Sequence, residues 1–170
     1  MRDYDIIVYG ATGFTGRLVA EYLGQQNVTR WAMAGRSRAK LEEVRDIIGA
    51  PADTPLLVAD ADDPASLKAM AQSTQVVLTT VGPYQLYGEP LIAACVAAGT
   101  AYVDLCGEPA WMRQMIDAHH EEAQRTGARI VFSCGFDSIP FDLGVLTLQE
   151  AAKARYGIPA PRVKGRVRKM

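Results

Sequence analysis

The sequence predicts an α/β fold of the Rossmann type: a doubly wound, mainly parallel six-stranded sheet with helices on both faces. Three observations lead there. Short apolar runs alternate with longer amphipathic ones along most of the chain, the pattern of successive βαβ units. The run QVVLTTV (75–81) is nearly continuous in apolar and β-branched residues, as a strand covered on both faces requires. A glycine-rich stretch, VYGATGFTGRLVA from Val8 to Ala20, stands where the first strand-like run gives way to the first helical one.

The elements follow in order. Asp5 to Tyr9 (DIIVY) reads as a strand, and Gly13 to Gln25 as a helix with Phe14, Leu18, Val19, Tyr22 and Leu23 at helical spacing. Trp31 to Ala34 is a second strand. Ser37 is placed to cap the next helix, whose apolar face is Leu41, Val44, Ile47 and Ile48 and whose stop is Gly49. Leu56 to Ala59 is a third strand. Pro64 then opens a short helix with Leu67 and Met70 facing inward, and Asp62 or Asp63 caps it. The fourth strand is 75–81, followed by an alanine-rich helix over Leu91 to Ala98 that ends at Gly99. Ala101 to Leu105 is a fifth strand, Glu108 to Thr126 a long helix closed by Gly127, and Arg129 to Ser133 a sixth strand. A last helix runs from after Pro140 to about Tyr156. Residues 1–157 thus read as one complete dinucleotide-binding domain.

Composition bounds the function classes. Hydrophobic residues are 49% and charged residues 22% of the 170, ordinary for one globular domain. No apolar run is long enough for a membrane span, and MRDYDIIVYG enters a strand without the basic and apolar regions of a signal peptide. Cys95, Cys106 and Cys134 are widely spaced and odd in number, which suits free thiols in a reducing cytoplasm. No metal site is expected: the cysteines form no CxxC pair, and His119 and His120 lie on a polar helical face read as solvated. The net charge is −1, yet the last nine residues, RVKGRVRKM, carry five positive charges, leaving −6 on the first 161. The tail lacks aromatic residues, so it is read as the beginning of a next strand and not as a nucleic-acid or membrane arm.

The glycines at 10, 13 and 16 follow G-x-x-G-x-x-G. Gly10 suits a tight turn out of the strand, Gly13 a close backbone approach to a pyrophosphate, and Gly16 close helix-to-sheet packing. Phosphates at the N-terminus of that helix would meet free N–H groups and its dipole, with Thr12 and Thr15 adding hydroxyl donors. The end of the second strand then selects the cofactor. An NAD site places an acidic residue there, about twenty residues past the glycines. Here none occurs between Glu21 and Glu42, and the strand ends AGRSRAK. A guanidinium suits a 2′-phosphate, so NADP is favoured over NAD, with Arg36 and Ser37 as its readers. Asp60 borders the adenine end. Gly82 and Pro83 shape the wall after the fourth strand, and Tyr84 either faces the nicotinamide or packs inward. The catalytic acid or base is unassigned, since no Tyr-x-x-x-Lys pair occurs. Asp104 and Asp137, near strand ends, are positioning or capping candidates, and Cys106 either borders the site or is a buried thiol.

GATGFTG, AGRS, TTVGPY, YVDLCGE and SCGFDSIPFDLG together resemble the saccharopine dehydrogenase-like oxidoreductases, most of all their actinobacterial trans-acting enoyl reductase branch. The resemblance runs from about Tyr4 to Gly157, and CGFDSIP with YVDLCGE is its more specific part. It implies an NADP-binding domain with cofactor phosphate contacts from Ala11 to Gly16, Phe14 among them. A second α/β domain for substrate binding and dimerisation would follow, with 158–170 as its truncated start, in proteins more than twice this length that form homo-oligomers. It also implies hydride transfer from NADPH to an unsaturated acyl chain, small or carrier-bound, made by a polyketide synthase in lipid or polyketide biosynthesis. The alternatives are an NADP-binding redox sensor without turnover, or a saccharopine or amino-acid-type reductase. The isolated 170-residue chain is expected to be inactive.

Overall fold

Six strands and six helices alternate through residues 2–26 and 30–167, which the computed structural model describes. The strands are β1 (Tyr4–Tyr9), β2 (Trp31–Gly35), β3 (Leu56–Val58), β4 (Thr74–Thr79), β5 (Ala101–Val103) and β6 (Ile130–Val131). The helices are α1 (Phe14–Gln25), α2 (Arg38–Ile47), α3 (Pro64–Ser73), α4 (Tyr84–Ala98), α5 (Pro109–Thr126) and α6 (Ile139–Tyr156). The strands form one sheet in the order β3-β2-β1-β4-β5-β6, and every recorded pairing is parallel. This is the doubly wound order, and its winding reverses between β1 and β4, where ligands of such sheets bind.

Each face has its own core. On one, α1 and α2 bury Ala20, Leu23, Leu41 and Val44 against Val8, Met33 and Leu56. On the other, α3, α4 and α5 bury Leu67, Met70, Leu91, Ile92, Trp111 and Met115 against Ile7, Val77 and Tyr102. In-register neighbours of a parallel sheet share a face. The row Ile7, Val77, Tyr102 is fully buried under α3 to α5. The opposite row Val8, Leu78, Val103, Val131 starts fully buried at β1, is half-buried at β4 and β5, and reaches 48% exposure at β6. The helix cover on that face stops at α1.

Local chemistry sets several boundaries. Ser37 Oγ accepts from Lys40 N–H at 3.4 Å and caps α2, while Asp63, at 3.0 Å from Ala65 N, caps α3 ahead of Pro64. Gly99 and Gly127 stop α4 and α5 in the left-handed conformation.

Four expectations need correction. The apolar face read for the first helix is rotated: Gly16, Ala20 and Leu23 pack inward, whereas Phe14, Leu18 and Tyr22 are exposed. The small residues win because α1 lies too close to the sheet for large ones. The fourth helix begins at Tyr84 and not at Leu91. Gly88 and Pro90 interrupt its sequence pattern, yet Gly88 is where the Trp111 ring packs tightly, and Pro90 is accommodated in the second turn. His119 is half-buried, its Nε2 enclosed without a hydrogen-bond partner beside an apolar hollow lined by Ile92, Met115 and Phe132; only His120 is exposed. The basic tail shows no strand over 162–167, and its remaining residues lie outside those described.

Candidate functional site

At the reversal between β1 and β4 the strand ends are knitted together. Gly10 N–H donates to Ala34 O at 3.0 Å and Thr80 N–H to Tyr9 O at 3.0 Å, which ties β1 to β2 and to the chain leaving β4. Above this join opens a cleft of about 440 Å³, lined by the glycine turn, Arg36, Asp60 to Asp62 and the segment Thr80–Pro83 with Tyr87. That size falls in the usual range of ligand clefts.

The glycine turn is built for close approach. Gly10 has φ +88°, a left-handed conformation costly for other residues, and a Cβ there would stand 2.7 Å from Thr80 Oγ1. A Cβ on Gly16 would overlap the Gly10 carbonyl oxygen, so glycine at 16 is what allows α1 to meet β1. Gly13 occupies the N-cap of α1, where no side chain caps the helix and its first turn holds no acidic residue. The first-turn N–H groups are therefore open to an anion, favoured by the helix dipole.

The other helix at this cleft is different. Pro83 is the N-cap of α4 and supplies no side-chain acceptor, but the Glu108 carboxylate accepts from Tyr84 N–H at 2.9 Å and from Gln85 N–H at 2.8 Å. Its N-terminus is already satisfied by a negative charge. Gly82–Pro83 is a cis peptide.

The sequence-predicted residues divide into two groups. Gly10, Thr12, Gly13, Arg36, Asp60, Gly82 and Pro83 line the cleft together. Ala11 is buried beneath the turn, its N–H donating to Ala34 O at 3.2 Å. Phe14 is 76% exposed and borders a neighbouring hollow shared with Thr12, Arg17 and Lys40. Thr15 is exposed in the first turn of α1, Gly16 is packed beneath it, and Ser37 caps α2. Tyr84 points into the core, its ring 5.9 Å from that of Trp111, donating to Thr79 O at 3.3 Å and accepting from Leu105 N–H at 3.4 Å. One helical turn later, Tyr87 takes the place on the wall that the sequence suggested for Tyr84. Sequence reasoning missed Tyr87, Tyr9 and Thr80. The helical spacing of 84 and 87 was the available signal, hidden by reading that stretch as loop.

Electrostatics narrows what these groups do. Burial pushes the Tyr9 phenol up to about 12, with Asp60 adding to the rise and Arg36 opposing it. Tyr84 also rises to about 12, by burial first. Burial likewise raises the Cys106 thiol, so no activated thiolate stands there. Asp104 is a buried tie: it accepts from Tyr102 OH at 2.8 Å, Cys106 N–H at 3.0 Å and Ser133 N–H at 2.8 Å. Asp137 is exposed and does not line the cleft. Among the described residues no group of three His, Cys, Asp or Glu is placed to hold a metal ion.

Fold and cleft together define a Rossmann-type dinucleotide-binding domain. The sequence profile described as the saccharopine dehydrogenase NADP binding domain matches residues 6–131, and the chain belongs to that family. NADP is therefore the cofactor of this domain. Trans-acting enoyl reductases of Mycobacterium leprae (strain TN) and Mycobacterium tuberculosis (strain ATCC 25618 / H37Rv) are 55% and 56% identical to it over 149 residues, 86% of the chain. It spans only 36% of those relatives' length. Among solved structures, saccharopine dehydrogenase (L-Glu forming) of Saccharomyces cerevisiae superposes with TM-score 0.71 at 18% identity, covering 89% of this chain and 32% of that one. The triphenylmethane reductase of Citrobacter sp., complexed with NADP(H), superposes with TM-score 0.55 at 21% identity, covering 76% and 48%. At these identities the superpositions speak for the fold. No helix among the described residues is long and apolar enough to cross a membrane.

Proposed function

We propose that this chain is the cofactor-binding part of an NADPH-dependent enoyl reductase that acts in trans on an unsaturated acyl chain in lipid or polyketide biosynthesis. The partner is a polyketide synthase carrying the acyl group, and the setting is the cytoplasm. The observation that carries the reading is the 55–56% identity to trans-acting enoyl reductases across nearly the whole chain, cleft included. A second domain, in the length that the relatives have beyond this chain, supplies the acyl site and the contacts for dimerisation.

The residues present fit the cofactor. The uncapped N-terminus of α1 takes the pyrophosphate, with Gly10, Thr12 and Gly13 at its floor. Arg36, exposed on the cleft and engaged in no ion pair among the described residues, takes the 2′-phosphate, with Ser37 beside it. Asp60 borders the adenine, and Gly82, Pro83 and Tyr87 wall the nicotinamide end. The cofactor, when bound, supplies a hydride equivalent from its reduced nicotinamide. The chain's own residues orient that ring and shield one side of it from water.

Calorimetric titration of the wild type and Arg36→Ala with NADPH and NADH tests the cofactor half. The wild type is expected to prefer NADPH, and the substitution to reduce that preference by about 1.5–3 kcal/mol, the worth of a charge-assisted hydrogen bond. Equal wild-type affinities would overturn the assignment of Arg36. The activity half is tested on the full-length protein by NADPH consumption with an α,β-unsaturated acyl thioester, where a saturated thioester product is expected.

A further inference from the structure

The two helices whose N-termini reach the cleft are treated differently by the fold. The start of α1 has no side-chain cap, whereas the start of α4 is closed by Glu108, a residue 24 positions on and across the β5–α5 turn. Both Glu108 oxygens are used, one for each of the first two N–H groups of α4. The same residue is the N-cap of α5, its carbonyl accepting from Met112 N–H at 3.0 Å. One side chain thus pins two helix starts to each other. Immediately before the pinned N–H groups stand Gly82 and Pro83, and within the first turn after them Tyr87, all three on the cleft wall. A second tie leaves the same turn: Tyr84 OH accepts from Leu105 N–H, and Asp104 binds Cys106 N–H and Ser133 N–H. The wall segment is therefore held from behind through the YVDLCGE stretch, with Glu108 bonded directly to the first two N–H groups after Pro83.

We propose that Glu108 is a positioning residue for the nicotinamide end of the cofactor: its carboxylate caps α4 and holds Gly82, Pro83 and Tyr87 in place. The inference rests on the NADP reading of this cleft. It has a second consequence. With a carboxylate seated on α4, the helix start left uncapped on the cleft, among the described residues, is that of α1, so the phosphates have one docking end and the dinucleotide one direction. Without the carboxylate, two N–H groups lose their acceptor and the wall loses one of its ties, while the glycine turn and Arg36, at the other end, keep their contacts.

The test titrates wild type, Glu108→Ala and Glu108→Gln with NADPH and with adenosine 2′,5′-bisphosphate, which has the 2′-phosphate end but no nicotinamide. Glu108→Ala is expected to weaken NADPH about tenfold through lost preorganisation, with the affinity for the bisphosphate within about twofold of wild type. Glu108→Gln keeps the length and one accepting oxygen, so an intermediate loss is expected. The enhanced nicotinamide emission of bound NADPH should fall in the same order, a signature that general loosening of the domain would not grade this way. Unchanged NADPH affinity and emission in Glu108→Ala would overturn the proposal, as would an equal loss of both ligands in Glu108→Gln. If the wild type bound the bisphosphate but gained nothing from the nicotinamide half, the positioning role would fail while the 2′-phosphate site stood. If it bound neither ligand, the cofactor assignment itself would fail.

Discussion

A methyl group at position 16 has nowhere to go. Its nearest neighbour is the backbone oxygen of Gly10, which cannot rotate aside as a side chain can. Gly16→Ala should therefore cost roughly 1–3 kcal/mol of stability, the range for overpacking, read as a lower urea midpoint. Gly13→Ala is a sharper probe of function. A Cβ at position 13 would stand 3.3 Å from Gly10 O, a tight contact but far from the overlap at 16, and its φ is an ordinary −80°, so its stability loss should be the smaller of the two. At the same scale, Arg36 and Glu108 act at opposite ends of one cleft: an exposed guanidinium that selects a ligand charge, and a carboxylate already committed to a helix start. Both residue types were visible in the sequence. Only the folded chain shows that one is uncommitted and the other is used.

At the scale of elements, Asp104 joins the end of β5 to the turn after β6 through Cys106 N–H and Ser133 N–H. Ser133 has φ +60°, and its Oγ donates to Cys106 O at 2.7 Å, which closes the joint from the other side. Burial raises the Asp104 carboxyl above its ordinary range, and the donors of Cys106, Ser133 and Tyr102 oppose this only in part. An acid whose folded value is raised holds its proton more tightly in the folded state. The stability this confers is full below the unfolded aspartate value of about 3.9 and is lost as pH rises through the folded value. Asp104→Asn cannot titrate, so the stability of wild type relative to the variant should fall as pH is raised from about 4 and level off above the folded value. Urea midpoints of the two proteins across that range check this, and parallel profiles would contradict it. Element boundaries were legible where a cap or stop is local, as at Ser37, Asp63, Gly99 and Gly127. They were not at α4, where Gly88 and Pro90 imitate a loop and the true cap is 24 residues away.

The whole molecule is lopsided. One face of the sheet is covered from end to end, while the other is covered only over β1 to β3, leaving Val103 and Val131 at an apolar, partly open edge. α6 follows β6 and carries Ile139, Phe141, Leu143, Val145, Leu146 and Leu148, yet none of its residues is buried. A helix apolar on every side reads from sequence as a buried one. Its hydrogen bonds beyond the helix itself are local, such as the pair between Gln149 and Ala160. A chain ended at Ser138 should therefore unfold within about 0.5 kcal/mol of the 170-residue chain, as expected where no core contact is removed. Urea titration of the two lengths decides it, and a loss of several kcal/mol would mean that α6 packs against the sheet in solution.

The alternation of elements, the doubly wound class, the glycine turn and the basic end of β2 were all determined by the sequence alone. Each is written in a run of a few residues whose chemistry acts on its own backbone: a left-handed turn at Gly10, an N-cap at Ser37, a guanidinium where an acid would serve the other cofactor. What only the tertiary structure decided concerns which side of an element meets which neighbour. Phe14, Leu18 and Tyr22 are the larger apolar residues of α1, but the approach of α1 to β1 admits only glycine and alanine near its start. Tyr84 and Tyr87 have the same chemistry, and the packing of Trp111 sends one inward while the other lines the cleft. Glu108 finds the start of α4 because the parallel crossover brings two distant turns side by side at the carboxyl ends of β4 and β5. Such pairings depend on contacts between elements, and local sequence carries no record of them.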